Sequence, residues 1–182
     1  MDERRGLLIL GLGNVLLGDD GLGPAAVARL QRDFEAPAGA LVADGGTLGL
    51  TLLALIGESD HVILADAVRH DAPAGSLVRI EGDEVAPAVR ERLSPHQVGV
   101  ADLLEAARLA GCYPLSVTLL GLVPETIELS VERSAAVQRG LNALVKAIVL
   151  EASALGYRLV PKESTNCRDG DADRDGGRIL GL

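Results

Sequence analysis

At 182 residues the chain is one domain's worth of sequence, and with 48% hydrophobic but only 2% aromatic residues it must fill a core with Leu, Val, Ile and Ala. The net charge of −9, from 17 basic against 26 acidic residues, comes without a Lys/Arg cluster, which argues against nucleic acid as a partner because phosphate needs a basic face. No apolar run approaches the roughly 18 residues of a membrane helix, and the two cysteines, Cys112 and Cys167, have neither metal nor redox spacing, so a reducing, cytoplasmic setting without membrane insertion is expected.

The opening "MDERRGLLILGLGN" has a short apolar run broken by glycines and Asn14, which predicts a buried first strand over residues 7–11 rather than a signal peptide. Helix signals follow: Asp19 and Asp20 at a candidate start, Pro24 in the first turn, then "AAVARLQRDF". "ALVAD" predicts a second strand over 40–44, "TLGLTLLALIG" a helix closed by Gly57, and "HVILAD" a third strand over 61–66. "SLVRIEG" is a fourth candidate strand. In "VADLLEAARLAG", Val100, Leu103, Leu104 and Ala107 fall on one helical face and Gly111 supplies the stop. "PLSVTLLGLV" predicts a strand, and the last helix places Val137, Leu141, Leu144, Val145, Ile148 and Ala152 on one face behind a Ser134 cap. Strands followed by helices predict α/β: a single domain over 1–161, built as a three-layer, twisted, mostly parallel sheet with helices on both faces. Residues 162–182, "KESTNCRDGDADRDGGRILGL", cannot build a core and are expected to form a disordered tail.

In such a sheet, sites form at the carboxyl ends of the strands. Acids fall at three strand ends: Asp19 and Asp20 in the 14–20 loop, Asp44, and Asp66. Gly11 and Gly13 begin a dinucleotide turn, but Leu16 replaces its third glycine. A phosphate would also meet like charge, since unit charges about 5 Å apart at an effective dielectric near 20 repel by roughly 3 kcal/mol. Neither a G-x-S-x-G elbow nor an H-E-x-x-H helix occurs. Cys112 with His96 would make a poor nucleophilic pair, because Cys112 follows a helix C-terminus whose dipole disfavours a thiolate; a small buried hydrophobe is the better reading.

A metal fits better. Two carboxylates converging on one sheet edge repel unless a cation relieves them. Asp20 and Asp66 converge if the first and third strands are neighbours, and His96, in the turn-like "LSPHQVG", supplies an imidazole from a loop. Such a set suits a divalent transition metal such as Ni or Zn and leaves coordination positions open. Each residue also has a plainer reading: Asp20 as a helix cap, Asp66 as a turn residue, His96 as a loop histidine. His61 and His70 read as structural or solvated, and Asp19 as a cap or a partner of the ligands.

The blocks "GLGNVLLGDDGLG", "DGGTLGLTLL", "HVILADAV", "SPHQVGVADLLEAARLAG" and "LLGLVPETIELSVERSAAV", in this order, resemble the hydrogenase maturation proteases. These are endopeptidases that trim the C-terminus of the large subunit of nickel–iron hydrogenases. The resemblance spans about residues 7–150 and implies a phosphorylase/hydrolase-like twisted sheet with helices on both faces. It implies Asp20, Asp66 and His96 as the metal-binding, metal-linked catalytic positions, and places Asp44, Gly45 and Thr47 beside the cleft as substrate contacts. It further implies a chain that is a monomer when free. Its partner is the large-subunit precursor, whose own nickel is the recognition element, with Zn or Cd as substitutes. Two departures stand out, the "RHDAPAG" loop and the tail. A non-catalytic nickel-checking chaperone docking on the large subunit would need the same edge, and the precursor's mass after incubation separates the two.

Overall fold

The first strand, β1 (Arg5–Leu12), is almost wholly apolar because it is buried on both faces. Leu7 and Ile9 turn to one side and Leu8, Leu10 and Leu12 to the other, the period-2 alternation of a strand feeding two cores. The computed structural model describes residues 4–90 and 100–163.

After β1 a 3-10 turn (Gly18–Gly21) leads into α1 (Leu22–Asp33), then the short β2 (Phe34–Glu35) and the second long strand, β3 (Ala40–Gly46). The helix expected before Gly57 divides into a 3-10 turn (Gly49–Leu52) and a brief α2 (Leu53–Gly57). β4 (Ser59–Ala67), β5 (Leu77–Glu81), α3 (Val85–Arg90), α4 (Val100–Leu109), β6 (Ser116–Leu122), α5 (Ala135–Ala154) and β7 (Val160–Pro161) complete the order. Gly111 ends α4 as expected: at φ +68° it lets its own N–H reach Arg108 O at 3.1 Å and Cys112 N–H reach Ala107 O at 3.0 Å. Ser134 caps α5, its Oγ accepting from Val137 N–H at 3.2 Å, and the six apolar residues foreseen for that helix are its buried face.

The main sheet runs β3-β1-β4-β6-β5. The first four strands are parallel, and β5 returns antiparallel along the β6 margin. α1 and α5 cover the face of Leu7, Ile9, Ile63, Ala65, Leu120 and Leu122. α2, α3 and α4 cover the face of Leu8, Leu10, Val62, Leu64, Val117 and Leu119. The layered α/β expectation is met. Of the tail expected from residue 162, Lys162 joins the body, its N–H donating to Asp33 O at 2.8 Å beside a two-strand β2–β7 ribbon; residues 164–182 lie outside the described residues. Neither β2, β7 nor α3 was foreseen, each being too short to carry a periodic signal.

The outer strand β5 is fastened to α5 through charge. Arg79 donates from Nε and Nη2 to Glu151 at 3.0 and 2.9 Å, and also pairs with Glu81 at 2.7 Å. The Arg79 hydrogen bond holds the Glu151 carboxyl below the ordinary glutamate range, with burial opposing and a Thr118 hydroxyl assisting. A depressed carboxyl contributes stability above its unfolded pKa and loses it as pH falls through the folded one. Glu151→Gln is therefore expected to lower stability by about 1 kcal/mol at neutral pH, given the half-exposed arginine. It should also flatten the acid limb of urea-melting midpoints below the ordinary glutamate range; an unchanged limb would show that the pair contributes nothing.

Candidate metal and active site

β1 and β4 are parallel neighbours, as the metal reading required. They also flank the point where the strand order reverses: the chain leaves β1 for β3 on one side, then crosses to β4 on the other. Crevices at the carboxyl ends of parallel strands open at such a switch point.

The loop leaving β1 is shaped by its glycines and Asn14. Gly13 has φ +125°, and a Cβ there would stand 1.8 Å from the Asp20 carbonyl oxygen. Asn14 turns the chain, its Oδ1 accepting from Leu16 N–H at 3.0 Å and its carbonyl from Leu17 N–H at 3.1 Å. Asp20 closes the loop by accepting Asn14 N–H on Oδ2 at 2.6 Å. It is not the cap of α1, whose N-cap is Gly21 with no side-chain bond. The close helix–strand approach that a dinucleotide turn obtains from a third glycine is made here by Gly11 and Gly23: a Cβ on Gly11 would meet Gly23 O at 2.5 Å, and one on Gly23 would meet Leu12 O at 2.2 Å.

Asp19 is fully buried and is a cap, but of a distant segment. Its Oδ1 accepts Ser134 N–H at 2.7 Å and its Oδ2 accepts Glu125 and Thr126 N–H at 2.9 and 3.3 Å. The same loop exchanges two backbone bonds with Ser130, from Gly18 N–H at 2.7 Å and to Leu16 O at 2.9 Å. The 124–134 strap between β6 and α5 is thereby stitched to the loop that carries Asp20.

A cavity of about 220 Å³ opens beside Asp20, lined also by Ala67, Arg69, His70, Glu125 and Ile127. Asp66 is buried at the end of β4, its Oδ1 accepting from Ala67 N–H at 2.8 Å, and Ala67 forms part of the cavity wall. Asp44 lies two residues before the end of β3, one strand further out. It is exposed and turns its own segment, its Oδ1 accepting Gly46 N–H at 2.9 Å, and Gly13 N–H donates to Gly46 O at 3.0 Å, joining the two loops. Gly45 is buried and Thr47 exposed in this turn. The strand-end acids thus share one edge of the sheet, with Asp20 and the residue next to Asp66 on one cavity. Their hard oxygens suit a divalent cation's demand for anionic donors.

His96 lies outside the described residues, and among those described no three His, Cys, Asp or Glu side chains come together as a metal cage. His61 is structural, its Nδ1 within 2.7 Å of Ser116 Oγ on β6. His70 is exposed, as expected, yet it borders the cavity. Its Nδ1 accepts from Ala72 N–H at 3.1 Å, so the neutral ring carries its proton on Nε2 and offers a donor. Arg69 and His70 leave the same strand as Asp66, so the strand-end rule that flagged the acids reaches them too. The strap wall at Glu125–Ile127 has no local sequence signal, because the carboxylate that fixes it is more than a hundred residues away. Cys112 is half-buried and packs against the core as a small hydrophobe. No helix among the described residues is long and apolar enough to cross a membrane.

Comparison with known proteins agrees with this geometry. The model of a family described as hydrogenase maturation protease matches residues 24–151. The chain is 32% identical over 160 residues to the hydrogenase 2 maturation protease of Escherichia coli, covering 87% of this chain and 97% of that one. It is 34% identical to the hydrogenase expression/formation protein HoxM of Azotobacter vinelandii, covering 92% and 79% respectively. Among solved structures, the hydrogenase maturating endopeptidase HybD from E. coli superposes with a TM-score of 0.81 at 32% identity, covering 86% of this chain and 98% of that one.

Proposed function

The chain belongs to the hydrogenase maturation protease family, and from that premise we propose that it removes the C-terminal extension from the nickel-loaded large-subunit precursor of a nickel–iron hydrogenase. The observation that carries the reading is the pair of buried acids, Asp20 and Asp66, at the carboxyl ends of adjacent parallel strands beside an open cavity. Asp20, Asp66 and His96 would hold the nickel that the precursor brings, as an incomplete shell that the substrate's metal completes. The ion is part of the substrate, so only a loaded precursor presents the element the edge can bind. A bound cation can polarise the scissile carbonyl, and the Asp44–Thr47 turn, exposed at Asp44 and Thr47, would contact the departing segment. Likeness to endopeptidases favours cutting over the alternative of a non-catalytic chaperone that checks for nickel and docks. A cytoplasmic monomer acting on that precursor is part of the same proposal.

Nickel-loaded and nickel-free precursor are to be incubated with the wild-type chain and with Asp20→Ala, Asp66→Ala and His96→Ala, and the precursor mass followed. The expected result is cleavage of loaded precursor only, reduced by roughly 100-fold or more in each variant, as befits loss of a metal ligand or of a transition-state contact. Processing of nickel-free precursor, or full activity in all three variants, would sink the reading. An unchanged precursor mass throughout would favour the chaperone.

A further inference from the structure

The carboxyl edge of the sheet carries, around its acids, an unusual share of the exposed apolar surface. Val15 and Leu16 on the β1 loop are each 53% exposed, Leu48 beyond the β3 turn 59%, and Leu129 and Val131 on the strap 85% and 72%. Five of the ten large apolar side chains left exposed among the described residues thus fall on three segments at one end of the molecule. Isolated exposed leucines need no explanation, but a cluster on one edge does.

These segments are also fixed. Ser130, between Leu129 and Val131, is bonded to Leu16 and Gly18, and the buried Asp19 holds the strap at three points. Gly13 is bonded to the β3 turn through Gly46. Apolar side chains on a pre-ordered rim lose little freedom when covered, which is what a recognition surface requires.

We propose that Val15, Leu16, Leu48, Leu129 and Val131 form a docking rim for the folded body of the protein substrate, meeting an apolar patch beside its C-terminal extension. This rests on the functional reading above. A substrate tail that reaches the acids must bring its parent domain over this edge, so the rim is continuous with the cleft. The rim supplies affinity and the acids supply chemistry, and the two should separate kinetically.

The test uses the full chain with nickel-loaded precursor. The double variants Val15→Ser/Leu16→Ser and Leu129→Ser/Val131→Ser are expected to raise KM at least tenfold, with kcat within about twofold of wild type. Melting temperature and binding of Ni²⁺ to the free chain should not move, since the side chains are exposed. Leu109→Ser/Leu115→Ser, at the opposite end of the sheet where β6 begins, is the control and should leave KM unaltered. An unchanged KM in both rim variants, or a fall in kcat alone, would overturn the proposal. So would wild-type self-association by sedimentation that the rim variants abolish, because the rim would then serve a second copy. Failure of the metal reading looks different: the wild-type chain would process nickel-free precursor as well as loaded precursor, whatever the rim variants do to KM.

Discussion

Replacing Asp19 with alanine is expected to lower the unfolding free energy by about 3–5 kcal/mol, the range seen when one partner of a buried charged network is deleted. The carboxylate is fully buried and accepts from Glu125, Thr126 and Ser134 N–H. Alanine leaves three backbone donors without their acceptor in a pocket closed to bulk water, and each such donor costs on the order of 1–3 kcal/mol. Recovering the cost of burying the charge offsets part of that sum. Asn is the informative second variant. Its carbonyl can still serve Ser134, but its amide nitrogen then faces the Glu125 and Thr126 N–H groups, donor against donor. Roughly half the loss is expected for Asp19→Asn, read from urea midpoints by circular dichroism with the slope unchanged. A loss below about 1 kcal/mol for alanine would mean that the strap is held by the Ser130 bridge alone.

Gly13→Ala is expected to damage activity severely although it leaves Asp20, Asp66 and His96 themselves unsubstituted. The added Cβ would sit 1.8 Å from the Asp20 carbonyl oxygen, at a φ of +125° that L residues rarely adopt. The loop must open to admit it, and opening displaces Asp20 and breaks its bond to Asn14 N–H. A stability cost of about 2–4 kcal/mol is anticipated, with processing reduced roughly 100-fold, because a misplacement of about 1 Å in a site costs that much. Gly82→Ala is the matched control. Gly82 also has positive φ, +62°, but nothing lies within 4 Å of its added Cβ. It should cost about 1 kcal/mol of stability from backbone strain and leave processing alone. Equal losses of activity in the two variants would show that the clash with Asp20 is not what makes Gly13 necessary.

Period and punctuation made most of the fold legible in the sequence. β1, β4 and β6 are buried on both faces, so their apolar runs had no competing reading, and α5 announced its face through six residues at helical spacing and a serine cap. The adjacency of β1 and β4, on which any convergence of Asp20 with Asp66 depends, could only be posed as a condition, because pairing order is set by crossover geometry rather than by either strand's composition. The role of Asp19 was half legible. An acid at a helix start reads as a local cap, whereas this one caps a segment more than a hundred residues distant, and nothing near either partner encodes the other. The strap, and with it one wall of the cavity, was invisible for the same reason. His70 was set aside for lying in a polar loop, although it leaves the strand of Asp66 and borders the same cavity.

The charged outer strand has a colloidal consequence. A sheet with an open parallel margin on one side and an antiparallel one on the other offers two templates for accretion. On the β5 side Arg79 is held between Glu81 and Glu151, and on the β3 side the Gln31 amide occupies the Val42 carbonyl at 2.8 Å. A stray extended segment meets fixed charge along one flank and an occupied carbonyl on the other, so concentrated solutions should resist ordered aggregation at the sides better than at the apolar strand tips.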